Sequence, residues 1–130
     1  MTSIAITELL GDGIGPELRA SVHAVAHRLP LDIRFEPIDL SLENRREAGP
    51  ELYDRAISAL RSTKLGLKYP TVTEVESPNA VLRRGLYFSV IHRPVMSIDG
   101  VQSNFSEDVF LHVVRVATGG TYEDPGRRVG

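Results

Sequence analysis

Residues 68–93 read KYPTVTEVESPNAVLRRGLYFSVIHR, and this succession of loop, helix and strand decides the fold of the chain's second half. Ser77 and Pro78 predict the start of a helix, because serine caps a first turn and proline fits its backbone geometry. Asn79 and Arg83 follow with a spacing of four residues, which places them on one face of that helix. The stretch therefore predicts a short helix that presents an amide and a guanidinium together.

Two strand-like runs come after this helix, and each is associated with an arginine. The first is Tyr87 to His92, directly before Arg93, and the second is Val109 to Ala117, which contains Arg115. Both faces of the second run are mostly apolar, so we expect a strand that is buried on both sides. An arginine in such a strand needs an anionic partner, either a bound carboxylate or an internal acidic residue.

The polar residues of these elements favour a site for a small molecule with several carboxylates. Guanidinium groups suit that ligand because their planar fork binds carboxylate oxygens in pairs, while a hydroxyl and an amide orient it. The candidates are Ser77, Asn79, Arg83, Arg93 and Arg115. Ordinary structural roles remain the alternative, namely a helix cap, a solvated helix face and an internal ion pair.

The start of the chain predicts a strand, a glycine-rich turn and a helix. Ile4 to Leu10 is the strand, Gly-Asp-Gly-Ile-Gly over residues 11–15 is the turn, and helical spacing of apolar residues follows Pro16. The spacing is not that of a dinucleotide-binding fingerprint, because Pro16 occupies the place of the third glycine. A tight structural turn is the favoured interpretation, and a phosphate-binding loop is the alternative.

Strands and helices alternate through the middle of the chain. Leu31 to Phe35 predicts a half-buried strand that ends at Pro37, and two helical patterns and a short strand at 65–67 follow. This alternation predicts an α/β layered fold with a mixed sheet. We expect residues 1–122 to form a single domain and residues 123–130, rich in glycine and charge, to form a loose tail.

The bulk composition narrows the class of protein. A chain of 130 residues that is 42% hydrophobic and 25% charged suits one ordinary soluble domain. The net charge of −2 gives no reason to expect nucleic acid or anionic lipid as a partner. The absence of cysteine excludes disulfides and thiolate metal sites. With no signal-like N-terminus and no membrane-length apolar run, we expect a cytoplasmic protein.

The order of several motifs carries a resemblance to a known family. Lys-x-x-Thr-x-Thr starts at Lys68, Ser-Pro-Asn-x-x-Leu-Arg starts at Ser77, Arg-Pro follows, and Val-Val-Arg ends at Arg115 before Tyr122. With Gly-Asp-Gly-Ile-Gly-Pro-Glu at 11–17, this order is similar to the isocitrate/isopropylmalate dehydrogenase family. The resemblance covers essentially the whole chain but only the N-terminal part of the family's fold, as in a truncated homologue.

The resemblance implies roles for individual residues. In the family, the carboxylates of a malate-like substrate are held at the positions matching Ser77, Asn79, Arg83, Arg93 and Arg115. In the family, the loop that matches residues 68–76 lies near the substrate and the nicotinamide, which adds Lys68 and Thr73 to the substrate-binding candidates. The position matching Tyr122 donates or accepts a proton in oxidative decarboxylation, so Tyr122 is the catalytic candidate.

The family's enzymes use NAD or NADP together with magnesium or manganese, and the resemblance implies that the groups holding them lie beyond this chain. We therefore expect no cofactor or metal site in this chain alone. The expected function is binding of a small di- or tricarboxylate, a 2-hydroxy or 2-oxo acid, or simple proton chemistry without hydride transfer. The alternatives are the N-terminal component of a split oxidative decarboxylase and a regulatory partner of a full-length family member. The resemblance also implies that the C-terminal strands completing the family's sheet are missing here. The open sheet edge or apolar face that this leaves predicts a homodimer or a complementary chain.

Overall fold

The computed structural model describes residues 3–117, and the chain divides after Leu86 into two compact units. The predicted α/β class is confirmed, with the parallel and the antiparallel strand pairs in two separate sheets. Tyr122 and the predicted tail at 123–130 lie outside the described residues. The single domain over residues 1–122 stays a prediction.

The first unit contains three parallel strands: β1 (Ser3–Leu10), β2 (Asp32–Asp39) and β3 (Gly66–Lys68). Their order is β2-β1-β3, so β1 is central. It pairs with β2 along its whole length and with the short β3 over its second half. Because parallel strands all end at the same edge of a sheet, the loops after β1 and β3 come together there.

The prediction that Pro37 ends the second strand is wrong. Pro37 lies within β2 and is paired in register with Glu8, and the strand continues to Asp39. Proline cannot donate a ladder hydrogen bond, so in a sheet it is tolerated where its nitrogen points away from the neighbouring strand. β2 has a partner on only one side among residues 3–117, which makes this placement possible.

Four helices complete the first unit: α1 (Gly15–Ala26), α2 (Leu42–Ala48), α3 (Glu51–Thr63) and α4 (Pro78–Leu86). α3 packs on β1, and α4 packs on α3. The core between them consists of Leu9, Leu40, Leu52, Ala56, Leu60 and Leu82. Each such leucine stabilises the fold by about 1.5–3 kcal/mol through burial, and Leu82 is the member of this core that α4 contributes.

The second unit contains two antiparallel strands, β4 (Val90–Met96) and β5 (Phe110–Val116). β4 begins later than predicted, because Tyr87 adopts a left-handed backbone conformation with φ of 58°. It then continues through Arg93 and Pro94, where the sequence predicted an end.

The prediction that the second strand is buried on both sides is wrong. Every residue of β5, from Phe110 to Val116, is exposed. The physical reason is that β5 pairs only with β4 in the described part of the chain, and a two-stranded ribbon has no further layer to cover either face. β5 is therefore apolar in composition, as the sequence shows, but it is not buried as that composition predicts.

Candidate functional site

Lys68, a predicted substrate-binding residue, ends β3 at the carboxyl edge of the parallel sheet. Its Nζ donates hydrogen bonds to the carbonyl oxygen of Tyr69 and to Oγ1 of Thr71, both at 2.9 Å. Burial and then the nearby Arg45 guanidinium lower the pKa of Lys68 below its ordinary value, against the opposing effect of Asp12. Within residues 3–117, two of its three donors are thus used by its own loop, and this fixes the start of the predicted substrate loop.

Asp12 of the glycine turn joins three parts of the first unit. Its carboxylate accepts hydrogen bonds from the backbone N–H groups of Leu42 and Val72, both at 2.8 Å, and lies 3.5 Å from the guanidinium of Arg45. Burial alone would raise the pKa of Asp12, but the two N–H groups and Arg45 outweigh it and lower that pKa. The turn is thereby tied to α2 and to the loop after β3.

Structural reasons also explain why glycine occupies positions 11 and 13 of this turn. A Cβ atom on Gly11 would lie 1.9 Å from the carbonyl oxygen of Pro70, and Gly13 has a φ of 61°. The backbone N–H of Asp12 donates to the same Pro70 oxygen at 2.7 Å. These contacts agree with the interpretation of the turn as structural, whereas the absence of a nucleotide there stays a prediction.

A buried carboxylate that the sequence reasoning missed lies behind this turn. Glu8 is fully buried in β1 and accepts hydrogen bonds from Arg19 at 3.1 Å, His23 at 2.6 Å and the Tyr69 hydroxyl at 2.8 Å. Burial, and then the hydrogen bond to Glu8, raises the pKa of Tyr69 to about 12. The signal in the sequence was a single acidic residue inside the apolar strand at 4–10, which needs cationic partners if it is buried.

A small cavity of about 210 Å³ lies beside this cluster, and its walls include Gly11, Gly15, Arg19, Asp39 and Tyr69. It is smaller than the roughly 300–1,000 Å³ of typical ligand pockets. Arg19 and Tyr69 already donate hydrogen bonds to Glu8, so their polar groups stabilise the fold.

α4 brings together three of the predicted carboxylate-binding residues. The carbonyl oxygen of Ser77 accepts hydrogen bonds from the backbone N–H groups of Ala80 and Val81, which confirms the predicted helix start. Asn79 is exposed and Arg83 half-buried, one helical turn apart on the same face, as predicted. Thr73 is exposed in the preceding loop.

The two-stranded ribbon formed by β4 and β5 brings together the two remaining arginines, Arg93 and Arg115. Arg115 is paired in register with Ile91, and Arg93 with Val113. Ile91 and Arg93 are two residues apart, so Arg93 and Arg115 lie on the same face of the ribbon as diagonal neighbours. Both are exposed, which overturns the premise that Arg115 is a charge inside a buried strand.

His92 of β4 forms a hydrogen bond with a second histidine, His112 of β5. Its Nε2 lies 2.7 Å from Nδ1 of His112 across the ribbon, although both side chains are exposed. Between residues 3 and 117, no group of three or more histidine, aspartate or glutamate side chains is placed to hold a metal ion. No helix of that region is long and apolar enough to cross a membrane.

Comparisons with known proteins give the evolutionary context of this geometry. Over 123 residues the chain is 31% identical to the probable mitochondrial NAD isocitrate dehydrogenase subunit alpha of Caenorhabditis elegans, which aligns 90% of the chain with 34% of that protein. It is also 31% identical to the chloroplastic 3-isopropylmalate dehydrogenase of Solanum tuberosum, with 92% and 34% covered. The crystal structure of isocitrate dehydrogenase from Methylococcus capsulatus matches with a TM-score of 0.79 at 30% identity, covering 91% of this chain and 36% of that one. A scan against protein-family models found no match.

These likenesses define an α/β protein built like the N-terminal part of a dehydrogenase. The resemblance found in the motifs is confirmed, because over about nine-tenths of its length the chain is similar to isocitrate and isopropylmalate dehydrogenases. It spans about a third of the length of the curated relatives that it matches.

Proposed function

We propose that this chain binds a small di- or tricarboxylate, a 2-hydroxy or 2-oxo acid, without transferring a hydride. The observation that carries the proposal is the pairing of arginine with a second arginine, and of arginine with an amide, by local geometry. Arg93 and Arg115 share one face of the ribbon, and Asn79 and Arg83 share one face of α4. In both places the residues that match the family's motifs lie on regular elements, which hold side chains more rigidly than loops do.

Each residue has a distinct part in the proposed clamp. On α4, Arg83 binds a ligand carboxylate through charge-assisted hydrogen bonds, and on the ribbon of β4 and β5, Arg93 and Arg115 do the same. Ser77 and Asn79 bind its hydroxyl or carboxylate oxygens, and Thr73 and Lys68 belong to the neighbouring loop. Tyr122, outside the described residues, is the proposed proton donor or acceptor.

The first experiment is calorimetric titration of the purified chain with isocitrate, citrate and isopropylmalate. We expect Arg93→Met to weaken binding about ten- to a hundredfold, because one charge-assisted contact contributes roughly 1.5–3 kcal/mol. Arg84→Met is the matched control, since Arg84 is exposed on α4 and is paired with Glu76. Equal affinity for acetate, or equal effects of the two substitutions, would refute the clamp.

A second candidate is that the chain works with another chain that carries the rest of the family's fold, as an NAD(P)-dependent oxidative decarboxylase. Exposed apolar side chains on both faces of the ribbon favour this candidate. The chain alone should then produce no reduced NAD or NADP from isocitrate or isopropylmalate with magnesium. Reduced cofactor should form only when the second chain is added. The cytoplasmic location likewise stays a prediction.

A further inference from the structure

A pair of histidines joins the two strands of the ribbon formed by β4 and β5. Nε2 of His92 lies 2.7 Å from Nδ1 of His112, and both side chains are exposed. His92 is paired in register with Val114, two residues beyond His112, so the two histidines are diagonal neighbours on one face. Arg93 and Arg115 lie on the opposite face, because successive residues of a strand alternate. Solvent therefore reaches the pair on a face that carries neither of the ribbon's arginines.

The two imidazole rings lie edge to edge in nearly one plane. Their planes meet at 11° and their centroids are 4.9 Å apart. That separation is close to the sum of the 2.7 Å between the facing nitrogens and the two ring radii, which leaves little room for an offset between the planes. The lone pair of an imidazole nitrogen lies in the ring plane and points away from the ring centre. Nε2 of His92 and Nδ1 of His112 therefore both point into the gap between the rings.

Neighbouring groups orient this pair. Phe110 packs edge-on against His112, with the ring centroids 5.1 Å apart and the planes at 77°. Both histidines lie within regular strands, which hold side chains more rigidly than loops do. The hydrogen bond between the two rings contributes little to stability, because water competes for both exposed nitrogens. Stability of the ribbon is thus a weak reason for two facing imidazoles at these positions.

Two imidazole nitrogens that point into one gap have the chemistry of a metal chelate. Imidazole is the commonest metal ligand in proteins and suits Cu²⁺, Ni²⁺ and Zn²⁺, whereas Mg²⁺ and Mn²⁺ prefer oxygen ligands. A cation bound to both nitrogens at about 2.0–2.1 Å sets them about 2.9–3.4 Å apart. The rings therefore need to separate only slightly from the 2.7 Å observed, which exposed side chains allow. Among residues 3–117 no third histidine, aspartate or glutamate joins the pair, so water completes the coordination.

We propose that His92 and His112 bind one late first-row divalent cation, with Cu²⁺ bound more tightly than Ni²⁺ or Zn²⁺. This order follows from the general affinity of nitrogen ligands for these ions. The cation replaces the hydrogen bond. The proton between the facing nitrogens leaves to solvent, and the other nitrogen of the same ring takes one up, so both rings stay neutral and no net proton is released. The expectation that the chain alone has no metal site concerned the magnesium or manganese of the family's enzymes, and this site differs from it in both ligands and ion.

Calorimetric titration of the tag-free chain with the chlorides of Cu²⁺, Ni²⁺ and Zn²⁺ at neutral pH tests this site. We expect one Cu²⁺ per chain, and pulsed electron paramagnetic resonance of the bound Cu²⁺ should show two imidazole nitrogens. His92→Gln and His112→Gln should each weaken Cu²⁺ binding at least tenfold, because each leaves a single exposed imidazole. His27→Gln is the matched control, since His27 is an exposed histidine directly after α1, and it should leave the affinity unchanged.

Four results would overturn the site. They are no Cu²⁺ binding to the unmodified chain, a single coordinating imidazole, an equal loss of affinity in His27→Gln, and displacement of the bound Cu²⁺ by an equal concentration of Mg²⁺. Circular dichroism shows whether the glutamine variants keep their secondary structure, and the resonance spectrum of the unmodified chain counts nitrogens without any variant. The titration contains no carboxylate and measures no activity, so a failure of the proposed clamp leaves this result intact.

Discussion

Glu8→Gln tests whether the buried carboxylate organises the first unit. Glutamine keeps the volume and the hydrogen-bonding oxygen but replaces the other oxygen with an N–H₂ group that only donates. Arg19, His23 and the Tyr69 hydroxyl all approach the carboxylate, so one donor would then face another donor. The substitution removes the negative charge and leaves Arg19 without its counter-ion.

The expected loss follows from the burial of the cluster. Breaking a fully buried ion pair costs about 3–5 kcal/mol, and this figure must be reduced here because the Arg19 side chain is 39% exposed. We expect the free energy of unfolding to fall by about 2–4 kcal/mol, which corresponds to a melting temperature lower by roughly 10 °C for a chain of this size.

The assay is urea unfolding followed by circular dichroism, with Glu36→Gln as the matched control. Glu36 lies on β2 and pairs with Arg34, but both side chains are well exposed, so this pair should contribute less than about 1 kcal/mol. If Glu8→Gln lowers stability by no more than Glu36→Gln does, the buried cluster does not hold the first unit together.

Two further predictions concern the same region. Because the pKa of Tyr69 is raised to about 12 from its ordinary value of 10.0, the folded chain holds this proton more tightly than the unfolded chain. The stability that this difference contributes is complete below pH 10 and is lost as the pH rises towards 12. Tyr69→Phe should weaken this alkaline loss of stability. An unchanged pH profile of urea unfolding in the variant would contradict the assignment of the loss to Tyr69. Gly11→Ala should destabilise the chain by more than about 2 kcal/mol, since its Cβ would overlap the Pro70 oxygen. Gly15→Ala should have only a mild effect on stability, because the nearest contact of its Cβ is at 3.8 Å. Equal melting temperatures of the two variants would refute close packing as the reason for glycine at position 11.

The order of the elements and their local geometry could be predicted from the residues alone. Apolar periodicity identified β1 and α3, and the Ser77-Pro78 start of α4 followed from helix-capping preferences. The spacing of Asn79 and Arg83 on one helix face is also local, because it depends only on the helical repeat. The family resemblance rested on residue types in a fixed order, which is again a property of the sequence.

Only the tertiary structure showed which apolar and charged residues are covered. Pro37 and Pro94 lie within strands, because the side on which a strand finds its partner decides whether a proline fits. β5 is apolar on both faces yet exposed, since burial depends on layers contributed by other parts of a fold. Glu8, in contrast, is buried because Arg19, His23 and Tyr69 converge on it from distant positions. Residue type and spacing determine local conformation, whereas burial and charge pairing depend on contacts between segments that are far apart in the chain.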